Sequence, residues 1–136
     1  MKMRACLVIL KNQREILLIR RKKGENEYWV FPGGGVEAGE TATEAAVREA
    51  QEELSLDISP GPVLFELTNL GRKEIYFLVK KYSGTIALGS GPERKRQNQT
   101  NMYEFHWIAQ EAVQDINLKP SVAVLKLLQC ELSKWR

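Results

Sequence analysis

A mixed α/β domain is the fold class this sequence predicts, and three observations predict it. Short apolar runs rich in β-branched and aromatic residues recur along the chain. Two segments carry helix-start signals, Thr41-Ala42-Thr43-Glu44 and Pro120. Neither an internal repeat nor an interdomain linker interrupts the 136 residues, so a single domain over 1–136 is expected.

Arg4 to Leu10 and Glu15 to Arg20 read as a β-hairpin around the polar stretch Lys11-Asn12-Gln13-Arg14. A loop at Lys22 to Glu27 leads into a short aromatic strand, Tyr28 to Phe31, which Pro32 and three glycines end. Thr41 and Glu44 have the spacing of a capping box, so a helix should follow and run to about Leu54. Val63 to Leu67 and Glu74 to Lys80 read as strands, with turn residues at Asn69-Leu70-Gly71. Gly89 to Asn101 has neither period and reads as a long loop. Tyr103 to Ile108 alternates as a strand. Pro120 then opens a last amphipathic helix with Val122, Leu125, Leu128 and Leu132 on one side.

With 43% apolar and 27% charged residues, the chain has no signature of disorder. No apolar run nears the roughly 18 residues of a transmembrane helix. Ala5 to Leu10 is too short for a signal-peptide core, so a cytoplasmic protein with no membrane partner is expected. Cys6 and Cys130 stand in apolar segments without a C-x-x-C pair, and read as buried free thiols. The net charge is +3, and the basic runs Arg20-Arg21-Lys22-Lys23 and Arg94-Lys95-Arg96 suit either a polyanionic ligand or solvent.

Between these runs lies an acidic segment. Glu37, Glu40, Glu44, Glu49, Glu52 and Glu53 stand against one arginine, Arg48, behind Gly33-Gly34-Gly35. At 100° per residue, Glu52 and Glu53 fall about −60° and +40° from Glu49, so the three share a helix face. Thr43, Val47, Ala50 and Leu54 form a different face, suited to packing on a sheet. Like charges about 6 Å apart repel by ~3 kcal/mol at an effective dielectric near 20. The end of a helix also prefers cations. Arg48, four residues from both Glu44 and Glu52, relieves only part of this. A dication would relieve the rest. Hard carboxylate oxygens without thiol or imidazole select Mg²⁺ or Mn²⁺ over zinc. The glycines allow close backbone approach, making a Gly33 or Gly34 carbonyl a further candidate ligand. A solvated, glutamate-rich helix face is the plain alternative.

Gly34, Glu40, Arg48, Glu49, Glu52 and Glu53 reproduce the spacing G-x5-E-x7-R-E-U-x-E-E-x-G-U, where U is bulky and aliphatic. Six such residues would coincide by chance in about one chain in 10⁵ of this length. The segment resembles the Nudix box, and Trp29 to Gly34 resembles the usual approach to it. Two positions depart from the pattern. Ala50 stands where a larger aliphatic is usual, and Ser55 where glycine is usual. Ser55 is therefore expected either to adopt a left-handed conformation costing about 1–2 kcal/mol or to end the helix differently.

The resemblance implies a Nudix-type α/β/α sandwich around a mixed sheet. It also implies hydrolysis of a pyrophosphate bond in a nucleoside diphosphate linked to another group. Glu49, Glu52 and Glu53, with the Gly33 carbonyl, would hold Mg²⁺ or Mn²⁺. Arg48 would orient these glutamates, and Glu40 and Gly34 would support the corner between loop and helix. Glu53 is the first choice for general base and Glu93 the second. His106, the sole histidine, reads as structural. Arg20, Arg21, Arg94 and Arg96 are candidates for terminal phosphates, with Glu93 beside them. Tyr28, Trp29, Tyr103 or Phe105 could stack on a base or sit in the core. A small nucleotide derivative is the expected partner rather than nucleic acid. Homodimers are frequent in the family, which is analogy only. The rival reading is a nucleotide-binding regulator without catalysis.

Overall fold

A computed structural model describes residues 2–86 and 101–130, with residue 101 described by its backbone alone. The sequence candidates Glu93, Arg94 and Arg96, and Leu132 of the last helix, lie outside the described residues. Among the described residues ten strands run in the order β1 (Lys2–Lys11), β2 (Glu15–Lys23), β3 (Asn26–Val30), β4 (Gly33–Gly35), β5 (Asp57–Ser59), β6 (Val63–Asn69), β7 (Arg72–Val79), β8 (Lys81–Ser83), β9 (Asn101–Ala109) and β10 (Leu118–Lys119). Helix α1 (Ala42–Glu49) continues directly into a π-helical turn, Ala50–Leu54. A 3₁₀ turn spans Gln110–Asp115, and α2 spans Ser121–Gln129.

The mixed sheet has the order β10-β3-β2-β1-β7-β6, with β4 on β1 and β9 on β2. β1 organises it. This strand runs parallel to β7 from Lys2↔Arg72 to Ile9↔Val79. On its other edge, Arg4 to Cys6 pair with the β4 glycines, and only Leu10 and Lys11 pair with β2. The edge of β1 thus changes partner midway, and the glycine loop fills the gap.

β1 is buried on both faces, and its alternation divides the core in two. Ala5, Leu7 and Ile9 face the cluster containing Ala45, Ala46, Ala50 and Leu54. Cys6, Val8 and Leu10 face the cluster containing Ala123 and Leu127. The sheet therefore lies between helices, the sandwich that the resemblance implies.

Two helix faces differ from expectation. Of the face expected on the first helix, Ala50 and Leu54 are buried, but Thr43 and Val47 are exposed, Val47 by 40%, and Ala45 and Ala46 of α1 are buried in their place. Small side chains bring the helix axis close to β1, and alanine gives a weak hydrophobic signal in sequence. On α2, Val122, Leu125 and Leu128 are 42%, 63% and 40% exposed, while Ala123 and Leu127, four residues apart, enter the core. Cys6 is buried, and burial pushes its thiol up to about 12. Cys130 is only half-buried, not fully buried as expected.

Candidate active site

The corner between loop and helix is fixed from both ends. Thr41 Oγ1 accepts the Glu44 N–H at 3.1 Å, and Glu44 Oε1 accepts the Thr41 N–H at 2.9 Å, the expected capping box. At the far end Ser55 is left-handed, with φ 60° and ψ 33°. The helix therefore stops as it would at glycine, with the serine carrying the strain. The π turn just before it replaces the α-helical turn predicted for Ala50 to Leu54. Its i→i+5 bonds widen the helix locally and re-aim the side chains that follow.

Glu53, within that turn, points inward. It is 7% exposed, and its Oε1 accepts the Gly33 N–H at 2.9 Å. Helix and glycine loop are tied by the carboxylate expected to do chemistry. Glu49 lies against Gly34, where a Cβ would overlap its carboxylate. Only glycine leaves that space.

Arg48 gathers the remaining carboxylates. Its Nε and Nη2 donate to the two oxygens of Glu40 at 2.8 and 2.9 Å. Nη1 donates to Glu49 Oε1 at 2.9 Å and to Glu52 Oε2 at 3.1 Å, and Nη2 reaches the Gly35 carbonyl at 2.9 Å. Glu44, the other partner expected for Arg48, is instead engaged in the cap. The Arg48 hydrogen bonds, helped by the Glu37 N–H, hold the Glu40 carboxyl down at about 2. Glu40 therefore stays ionised and keeps its arginine in place at any pH near neutrality.

Arg48, Glu49, Glu52, Glu53 and the three glycines line one part of a cleft of about 640 Å³. Arg21, Tyr28, Tyr103 and Lys119 line a second wall. The Arg21 guanidinium lies 3.8 Å from the Tyr103 ring centre, and Lys119 Nζ 5.0 Å from that of Tyr28. Strand alternation sends Arg20 elsewhere. It is bound to Glu104 at 2.6 Å and Glu27 at 2.8 Å and does not line the cleft, so its neighbour Arg21 takes the place expected of it. Trp29 and Phe105 pack against the two cores, leaving Tyr28 and Tyr103 as the cleft aromatics. His106 lies edge-on to Trp29 with centroids 5.3 Å apart, and is absent from the cleft lining, in keeping with a structural reading. Sequence reasoning missed Lys119 and a third group at the floor, which includes Asn69, Glu74 and Tyr76.

Among the described residues no three carboxylates already form a closed ligand cage. The donor set nevertheless fits a hard dication. Glu49 and Glu52 converge on a single cationic nitrogen of Arg48, Glu53 stands beside Gly33, and every donor is oxygen.

The chain matches the family model of the NUDIX domain over residues 1–126. A 50-residue stretch is 48% identical to an RNA pyrophosphohydrolase of Marinomonas sp., covering 37% of this chain and 30% of that protein. A 49-residue stretch is 47% identical to a putative 8-oxo-dGTP diphosphatase of Bacillus subtilis, covering 36% and 32%. These matches thus span less than a third of either relative. A MutT structure from work on Aliivibrio salmonicida and Vibrio cholerae superposes with a TM-score of 0.76 at 21% identity, over 94% of this chain and 97% of that one. An ADP-ribose pyrophosphatase of Streptococcus suis gives 0.69 at 18%, over 99% and 92%. At such identities the likeness is one of fold.

Proposed function

This chain belongs to the NUDIX domain family, and on that premise we propose that it hydrolyses a pyrophosphate bond in a nucleoside diphosphate linked to another group. One observation carries the reading. A set of carboxylate oxygen donors, Glu49, Glu52 and Glu53, lines the same cleft as a cationic and aromatic set, Arg21, Tyr28, Tyr103 and Lys119. The first suits a dication and the second a phosphorylated, ring-bearing ligand.

Mg²⁺ or Mn²⁺ on those glutamates would offset charge on the diphosphate and acidify a bound water. The chain's own residues do the positioning. Arg48 holds Glu49 and Glu52 side by side, and the Gly33 N–H fixes Glu53 in the cleft. Glu53 is the group assigned to take the proton from the attacking water. Arg21 and Lys119 meet the phosphates or the stacked base. Names borne by the relatives, RNA pyrophosphohydrolase, 8-oxo-dGTP diphosphatase and ADP-ribose pyrophosphatase, set the range of candidate substrates. No helix among the described residues is long and apolar enough to cross a membrane. A cytoplasmic setting, where nucleotides abound, fits the reading.

A panel of nucleoside triphosphates, nucleotide sugars and capped RNA with Mg²⁺ tests it. At least one should yield a nucleoside monophosphate or inorganic phosphate, and excess chelator should abolish the release. Tight binding of one compound with no cleavage of any would make the protein a nucleotide-binding regulator instead.

A further inference from the structure

One buried carboxyl group in the cleft has no part in the carboxylate wall. Glu74, on β7, is only 3% exposed and sits on the cleft floor. Its Oε1 accepts the Tyr76 hydroxyl at 2.8 Å, and its Oε2 accepts the Asn69 side-chain amide at 3.2 Å. Tyr76 is itself wedged, edge-on to Phe31 at 5.2 Å and stacked on Phe65 at 4.5 Å, so the carboxylate is held in one orientation. Arg4 and Arg72 approach Oε2 to 4.0 Å each, outside hydrogen-bonding distance. They balance its charge without filling its lone pairs. An ionised carboxylate has about four acceptor sites, so each oxygen keeps one after these bonds. Burying such a group incompletely satisfied is costly, and a ligand that completes it recovers the difference.

We infer that Glu74 reads the base of the substrate and that this base is guanine. The inference rests on the nucleotide reading of the cleft given above. Only guanine among the common bases offers two adjacent N–H donors, from N1 and N2, matching the two oxygens of a fixed carboxylate. Adenine presents the lone pair of N1 at the corresponding position and cytosine that of N3, and both are repelled. Uracil offers its one N–H between two carbonyl oxygens, one of which would face an oxygen of Glu74. The O6 acceptor of guanine would meet the donors of Arg4 or Arg72, which line the same part of the cleft. A site built to hydrogen-bond a group rejects analogues lacking it much more strongly than an apolar pocket does.

The test is binding of GMP, AMP, CMP and UMP by calorimetry with Mg²⁺, beside kcat/KM for the four triphosphates. The unaltered protein should favour guanine over each other base by at least about thirtyfold. Glu74→Gln should remove most of that preference, because a carboxamide sets one donor beside one acceptor and pairs bidentately with adenine, cytosine or uracil as readily as with N1–H and O6 of guanine. Tyr76→Phe, which frees one oxygen without changing the charge, should reduce selectivity by about three- to tenfold. Melting curves accompany each variant. If Glu74→Gln fails to fold, Tyr76→Phe and the selectivity of the unaltered protein carry the test. Equal affinity for all four bases, no binding of any, or an equal loss for every base in Glu74→Gln would overturn the inference. Guanine-selective binding without hydrolysis of any substrate would uphold it and refute the hydrolase reading, so the two failures are separable.

Discussion

Glu53→Gln is expected to lower kcat at least about a hundredfold, which corresponds to ~2.7 kcal/mol of lost transition-state stabilisation. The substitution is nearly isosteric. A glutamine oxygen can still accept the Gly33 N–H that Glu53 Oε1 now accepts at 2.9 Å, so the tie between helix and loop survives. What is lost is one negative charge at the metal ligands and the ability to take up a proton. The melting temperature should therefore move little while turnover collapses. Steady-state kinetics in Mg²⁺, paired with a melting curve, separate the two effects. Unchanged turnover would remove Glu53 from the chemistry.

Gly33→Ala should act on the fold instead, with a loss of about 3 kcal/mol or more. At φ +144° Gly33 occupies backbone space that L-residues rarely enter. A Cβ there would overlap the Ala5 carbonyl oxygen and lie 2.9 Å from Cys6 Cα. Both belong to the backbone of β1, the strand that joins the two cores, so neither can step aside cheaply. The β4–β1 pairing would open and carry the Gly33 N–H away from Glu53. Since total stabilities run about 5–15 kcal/mol, the urea midpoint should fall steeply. Gly35→Ala is the matched control. Its φ is not positive and a Cβ there meets nothing within 4 Å, so its midpoint should barely move. Equal midpoints for the two variants would contradict the close approach of loop and strand.

The site was legible in sequence where chemistry demands fixed spacing. The three glutamates, the arginine, the glycine loop and the capping box all sit within about one helix and its approach. Local geometry therefore places them. Even there, the π turn was invisible, because no residue type signals an i→i+5 bond, and Glu53 lies within that turn. The second wall of the cleft was legible only as a wider set of candidates, from which Arg21, Tyr28 and Tyr103 line the cleft and to which Lys119 is added. Arg21 and Arg20 are adjacent and alike, and only the facing of β2 sends one to the cleft and the other to Glu27 and Glu104. Glu74 looked like the polar start of an apolar strand, and its burial depends on β1 and β6 pairing on either side of β7. The outward face of α2 misled for a related reason. Val122, Leu125 and Leu128 carry more hydrophobicity than Ala123, yet the small residue is the one that permits close docking.

The central claim is that the carboxylate wall exists to take up dications. Titration of the metal-free protein with MnCl₂, followed by calorimetry or by electron paramagnetic resonance of the free ion, tests it without any assumption about substrate. Saturable uptake that weakens markedly in Glu53→Gln and in Glu49→Gln is the predicted result. Absence of uptake, or uptake equal in all three proteins, would contradict it.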